Sequence, residues 1–174
     1  MRLRQNKIPS PIGEMLLITD EQETVRALDF DGYQPHLHQL LQRHYGDYSL
    51  TDAAHDSDIA RRLQRYFSGD LGALEDIRVA TNGSPFQQQV WSALRKIPPG
   101  QVLSYSDLAA QLGQPKAART VGGANATNPI AIIVPCHRII AKNGNLTGFA
   151  WGLERKRWLL THERAVLHYK STAR

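Results

Sequence analysis

The chain has 174 residues, 41% of them hydrophobic, a formal net charge of +5 and a single cysteine. That length supports one sizeable core or two small lobes and excludes a string of independent domains, while one cysteine excludes an internal disulfide and a cysteine-rich zinc site. No apolar run reaches the roughly 18 residues of a membrane span and MRLRQNKIPS lacks the apolar core of a secretory signal, so a soluble intracellular protein is expected. The charge is unevenly spread. Residues 1–83 carry 9 Lys/Arg against 13 Asp/Glu, whereas residues 84–174 carry 12 against 3, net −4 and +9. The second half is therefore the candidate polyanion binder.

From the N-terminus, residues 7–30 predict two or three short strands. Met15, Leu16, Leu17 and Ile18 follow a Pro-Ile-Gly turn, and Val25 to Phe30 follow the polar link Asp20–Thr24. Two helices are expected next, Pro35–Tyr45 and Ser57–Phe67; in the second, Ser57 is the N-cap and Ile59, Leu63 and Phe67 share a face. His36, His38, His44 and His55 are scattered, which favours solvated roles over metal binding. A domain boundary is expected near Ala80–Gly83, giving lobes 1–83 and 84–174.

Beyond it, Ser84-Pro85-Phe86-Gln87 is a capping box with proline at the first helical position. Phe86, Val90, Trp91 and Leu94 form a core stripe that stops at Ile97-Pro98-Pro99-Gly100. Ser104 caps another helix with Asp107 at its third position, and after the Gly113-Gln114-Pro115 turn a second helix is expected from Pro115 to about Ala126, a helix-turn-helix pattern. Gly122 and Gly123 each cost that last helix roughly 1 kcal/mol relative to alanine, which suggests that something approaches its backbone closely.

Asn128 to Val134 reads as a buried strand, ending in Pro135-Cys136-His137-Arg138 and followed by Ile139-Ile140. A free cysteine between apolar stretches is by itself more often inert core than nucleophile. Its neighbours change that expectation, because His137 and Arg138 would place a potential base and a cation beside the sulfur and favour the thiolate. The final helix carries Leu153, Trp158, Leu159 and Leu160 and ends at Glu163.

NPIAIIVPCHRII resembles the active-site stretch of the O6-alkylguanine-DNA alkyltransferases, of the bacterial single-cysteine type. SYSDLAAQLGQPKAARTVGGANATNP is similar to that family's helix-turn-helix and asparagine hinge, and GNLTGFAWGLERKRWLLTHE to its binding loop and final helix. The resemblance runs almost continuously over residues 84–163 and implies direct-reversal DNA repair. A methyl or small alkyl group would pass irreversibly from O6-alkylguanine to Cys136, with O4-alkylthymine as a second candidate substrate. His137 would act as base through a water, Glu163 would hold its ring, Tyr105 would offer a proton to N3 of the leaving guanine, and Asn128 would pin the hinge. Arg119 would fill the gap left by the flipped nucleotide, while Ala117, Ala118, Gly122 and Gly123 would let their helix enter the minor groove of double-stranded DNA. Backbone near Cys136 and Ile139 would accept from the exocyclic amine of the base. Ile139, Phe149, Ala150 and Trp151 would line the alkylguanine pocket; Phe149 stands where the family commonly has tyrosine, and Trp151 where some members have glycine.

The resemblance further implies an α/β fold, with a ribonuclease-H-like N-terminal lobe around a small sheet and a mainly helical C-terminal lobe with a winged helix-turn-helix-like element. It implies no cofactor and no metal, and a monomer acting in the cytoplasm at the nucleoid. The residues alone leave two other classes open. A cysteine hydrolase would use Cys136 and His137 with an oxyanion hole and would turn over, and a non-catalytic helix-turn-helix protein would only bind DNA.

Overall fold

The computed structural model describes residues 1–53 and 57–165, so His55 lies outside the described residues. The chain forms two compact units, Met1–Gly83 with Pro129–Ile133, and Ser84–Asn128 with Val134–Arg174.

The first unit is built on a four-stranded sheet of β1 (Arg2–Ile8), β2 (Met15–Thr19), β3 (Val25–Phe30) and β4 (Ser49–Asp52), in the order β3-β2-β1-β4. β1, β2 and β3 are antiparallel neighbours, and β4 runs parallel to β1. β2 is buried at all five positions, which is why it reads as a continuous apolar run rather than an alternating one. Asp20 shapes the following turn by accepting from the Gln22 and Thr24 N–H groups and pairing with Arg26 at 2.9 Å. Leu37 and Leu41, one turn apart on α1 (Gln34–Tyr45), pack on Leu3, Leu16, Ile18 and Ala27 of the sheet. α2 (Asp58–Phe67) starts at Ser57, whose hydroxyl accepts from the Ala60 N–H. Of the four expected solvated histidines, His36 pairs with buried Asp29 at 3.1 Å, His38 stacks on Tyr48, and His44 is half-buried.

Pro129, Ile130 and Ala131 lie along the outer edge of β3. The Leu28 N–H donates to Pro129 O and the Ala131 N–H donates to Leu28 O, both at 3.0 Å. Farther along the same edge, the Val25 N–H donates to Arg78 O and the Ala80 N–H to Val25 O.

In the second unit, α3 (Pro85–Leu94) and α4 (Tyr105–Gln111) both carry complete capping boxes, from Ser84 with Gln87 and from Ser104 with Asp107. α5 (Ala118–Ala126) starts three residues later than expected and has no side-chain cap, since Ala117 offers none. The unit also holds a short parallel ladder, β5 (Leu103–Ser104) with β6 (Ile139–Ile140), and ends on α6 (Leu153–His162).

The expected strand over Asn128–Val134 does not form. Only Ile130 makes a bridge, to Leu28. The Ile133 N–H then donates to Ala131 O at 2.6 Å across Ile132, whose φ is +67°, a γ-turn in a region that β-branched residues rarely visit. A second γ-turn follows, with the Cys136 N–H donating to Val134 O across Pro135 at 2.8 Å. The segment is buried as expected, but as a doubly turned loop. The apolar run encoded burial, not extension.

Candidate active site

Cys136 opens a single 3₁₀ turn, Cys136–Arg138, whose three residues are all buried. Pro135 cannot donate to a ladder and fixes the approach, so the chain swings the thiol out of the preceding turn rather than continuing as a strand. Asn128, 2% exposed, donates Nδ2 to Val134 O at 2.8 Å and closes the ends of the excursion through residues 129–133.

The charged groups around this turn come from α6. Lys156, Leu159, Leu160 and Glu163 are buried at positions spaced by three or four, so one helix face carries a cation and an anion seven residues apart into the interior. Glu163 accepts from His137 Nε2 at 2.8 Å and from Arg138 through Nε at 2.8 Å and Nη2 at 2.9 Å. Arg138 Nη1 donates to Ile97 O at 2.6 Å. Gly100, at φ +89°, lies under the same corner; that backbone favours glycine, and a Cβ there would also sit tightly, 3.1 Å from Glu163 O. Burial would raise the Glu163 carboxyl, but the His137 ring and the bidentate Arg138 outweigh it and hold it well below the ordinary carboxylate range. Burial pushes the His137 imidazole down despite its carboxylate partner, so the ring is neutral near pH 7. With Nε2–H given to Glu163, the bare Nδ1 is the basic atom, and it is buried without a hydrogen-bond partner among the described residues.

The expected thiolate-favouring setting beside Cys136 is not what the sequence neighbours supply. Arg138 is committed to Glu163 and Ile97, and burial pushes the Cys136 thiol up to about 11, partly opposed by Asn128 and by the charge of Lys156. The sulfur is therefore a thiol at neutral pH, and it needs a base at the moment of reaction.

Lys156 is the functional residue that reading the sequence missed. It is fully buried, with Nζ donating to Ile139 O at 2.6 Å, Thr147 O at 2.8 Å and Gly148 O at 3.4 Å. Burial lowers it to about 8, against the pull of the Cys136 sulfur. The clue available in the sequence was its spacing of four from Leu160 and seven from Glu163 on one helix face.

The other expected residues fall into two groups. Tyr105 heads α4, with its hydroxyl donating to Thr147 O at 3.3 Å and its ring against Gly122. Ile139 is buried beside the thiol turn, Trp151 is 1% exposed and meets Phe149 edge-on at 5.2 Å, and Ala150 is exposed. The second group lies on α5. Arg119 and Gly123, one turn apart, are exposed, whereas Val121, Ala124 and Asn125 are buried; Ala117 and Ala118 are half-buried at its start. A Cβ at Gly122 would make ordinary contact with Tyr105 at 3.6 Å, and one at Gly123 would meet nothing within 4 Å. Neither glycine is demanded by the protein's own packing.

Comparison with known proteins gives a consistent picture. Residues 3–81 match the family model for the 6-O-methylguanine DNA methyltransferase ribonuclease-like domain, and residues 85–165 match that for the DNA binding domain of the same family. A methylated-DNA–protein-cysteine methyltransferase of Salmonella typhimurium is 47% identical over 169 residues, covering 96% of this chain and 99% of the relative. The protein of that name from Haemophilus influenzae is 38% identical, covering 94% and 88%. The crystal structure of Mycobacterium tuberculosis OGT in complex with DNA superposes with a TM-score of 0.78 at 37% identity, covering 98% of each chain. Two family models covering nearly all of the described residues, and relatives matched from end to end, agree with the thiol site: the chain belongs to the methylated-DNA–protein-cysteine methyltransferase family.

Proposed function

We propose that the protein repairs DNA by transferring the alkyl group of O6-alkylguanine to Cys136, once per molecule. The observation that carries this reading is the buried lone thiol beside a neutral imidazole whose Nδ1 has no partner among the described residues and whose Nε2 is anchored on ionised Glu163. A thiol at about 11 is inert until its proton is taken. His137 Nδ1 takes it through a water, Sγ attacks the alkyl carbon in line, the carbon–O6 bond breaks, and the electron pair moves onto the guanine. The Tyr105 hydroxyl, turning from Thr147, protonates N3 of the leaving base. Lys156 stabilises the thiolate as it forms and releases its hold as the thioether becomes neutral. The product has no activated carbonyl for water to attack, so the protein is consumed.

A base stacked in a duplex cannot reach a buried thiol, so the nucleotide must be flipped out at a cost of a few kcal/mol. DNA binding by residues 85–165 is supported by the family model matched there and by the DNA-bound structural neighbour. In this reading α5 enters the minor groove with Ala117, Ala118, Gly122 and Gly123 against the backbone, and exposed Arg119 occupies the vacated stack. Ile139, Phe149, Ala150 and Trp151 line the pocket of the flipped base. The protein works as a monomer in the cytoplasm, at the nucleoid. Incubation with duplex containing O6-methylguanine, followed by intact and peptide mass spectrometry, tests the proposal. One methyl increment per chain, on the Cys136 peptide and absent from Cys136→Ser, is expected; multiple turnovers or a methyl elsewhere would refute it.

A further inference from the structure

Asn125 stands on the buried face of α5, 5% exposed, and donates Nδ2 to the carbonyl of Cys136 at 3.3 Å. Its other atom, Oδ1, is buried with no hydrogen-bond partner among the described residues. The amide cannot simply be turned round, because that would set oxygen against the Cys136 carbonyl oxygen. A buried amide with an orphaned acceptor is a cost to the fold, and leucine of nearly the same shape would avoid it. Something other than packing accounts for asparagine here.

The surrounding bonds indicate what. The last turn of α5 is tied down residue by residue: Trp91 Nε1 donates to Ala124 O at 2.8 Å, and Gln87 Nε2 to Thr127 Oγ1 at 3.0 Å. Of these ties, the one from Asn125 alone ends on the residue that carries the thiol. On the opposite face of the same helix are exposed Arg119 and Gly123.

We propose that Asn125 is a positioning residue for Cys136, fixing the nucleophile's carbonyl directly from the helix that docks on DNA, separately from the hinge contact of Asn128. The inference rests on Cys136 being the alkyl acceptor. Losing one hydrogen bond of this kind should cost about three- to tenfold in the transfer step. Single-turnover transfer should be followed over a range of duplex concentrations for wild type and Asn125→Leu, with melting temperatures alongside. The saturating rate constant should fall by that factor, the half-saturating duplex concentration should stay within about twofold, and the melting temperature should hold or rise. Asn125→Asp keeps the shape but replaces the donor with a carboxylate. It should slow transfer and move the pH–rate profile to higher pH, since negative charge opposes thiolate formation, and it decides the matter if the leucine variant does not fold. An unchanged rate constant in the leucine variant, a loss matched by weaker duplex binding or lower melting temperature, or an unshifted profile in the aspartate variant overturns the proposal. Failure of the wild type to transfer would instead refute the assignment of Cys136.

Discussion

Glu163→Gln tests how the charged corner under the thiol is held. The carboxylate receives three donors, Arg138 Nε on Oε1 and both His137 Nε2 and Arg138 Nη2 on Oε2. Glutamine offers one oxygen. Placed at Oε2 it keeps two bonds and points its NH₂ at Arg138 Nε; placed at Oε1 it keeps one bond and faces two donors. Either way a buried guanidinium loses its counter-charge, and breaking such a pair from one side costs about 3–5 kcal/mol. For a chain of this length each kcal/mol moves the melting temperature by roughly 2–4 °C, so a fall of about 6–20 °C is expected near neutrality. The sign of the pH dependence follows from the depressed carboxyl. Its contribution is fully present above its ordinary pKa of 4.5 and drains away as pH falls below that toward the lower folded value. The wild-type advantage in thermal melts should therefore be largest at pH 6–7 and shrink toward pH 3. A melting temperature within about 2 °C of wild type at pH 7, or a difference unchanged down to pH 3, would refute this account.

Lys156→Met removes the cation that opposes the rise of the thiol, and should slow transfer at least about tenfold at pH 7. The deficit should be smaller at pH 9, because Lys156 itself discharges near 8; an equal deficit at both pH values would exclude an electrostatic role. Gly123→Ala meets open space, so it should stabilise α5 by about 0.5–1 kcal/mol in thermal melts while weakening duplex binding. Unimpaired affinity in titrations would mean that no backbone approach occurs there. Arg119→Ala should slow repair in duplex DNA far more than reaction with free O6-alkylguanine, and equal slowing would remove its stacking role. Trp151→Gly should raise the ratio of O6-benzyl to O6-methyl transfer rates by opening a buried wall, and an unchanged ratio would show that the indole is not the gate.

Much of the fold was legible because its signals are local. Ser57, Ser84 and Ser104 cap helices through bonds that span three residues, so sequence spacing states them directly. β4 was not legible: Ser49–Asp52 is polar and largely exposed, and only its parallel register with β1 makes it a strand. The loop 128–134 misled because β-branched residues favour extension, whereas the chain bends at Ile132, whose φ of +67° no residue type announces, and again at Pro135, with Asn128 tying its ends together at Val134 O. The site divides in the same way. Cys136, His137 and Glu163 stood out by type and motif, whereas the electrostatics did not follow adjacency. Arg138, two residues from the thiol, turns to Glu163, and the cation acting on the sulfur comes from Lys156, twenty residues away.

The strip of residues 129–131 along β3 bears on how the chain tolerates being cut. β3 is an edge strand, and its outer row of N–H and C=O groups is satisfied at Leu28 by Pro129 and Ala131. A fragment ending at Gly83 would keep every strand of the sheet and the pairing of Val25 with Arg78 and Ala80, but would leave the edge unpaired at Leu28, in a strand apolar at Val25, Ala27, Leu28 and Phe30. An open apolar edge is a template for pairing with other chains. The residues that lead into the thiol's loop thus also cover part of the sheet's edge, so residues 1–83 cut away from the rest should self-associate more readily than the whole chain, even though residues 3–81 match a family model of their own.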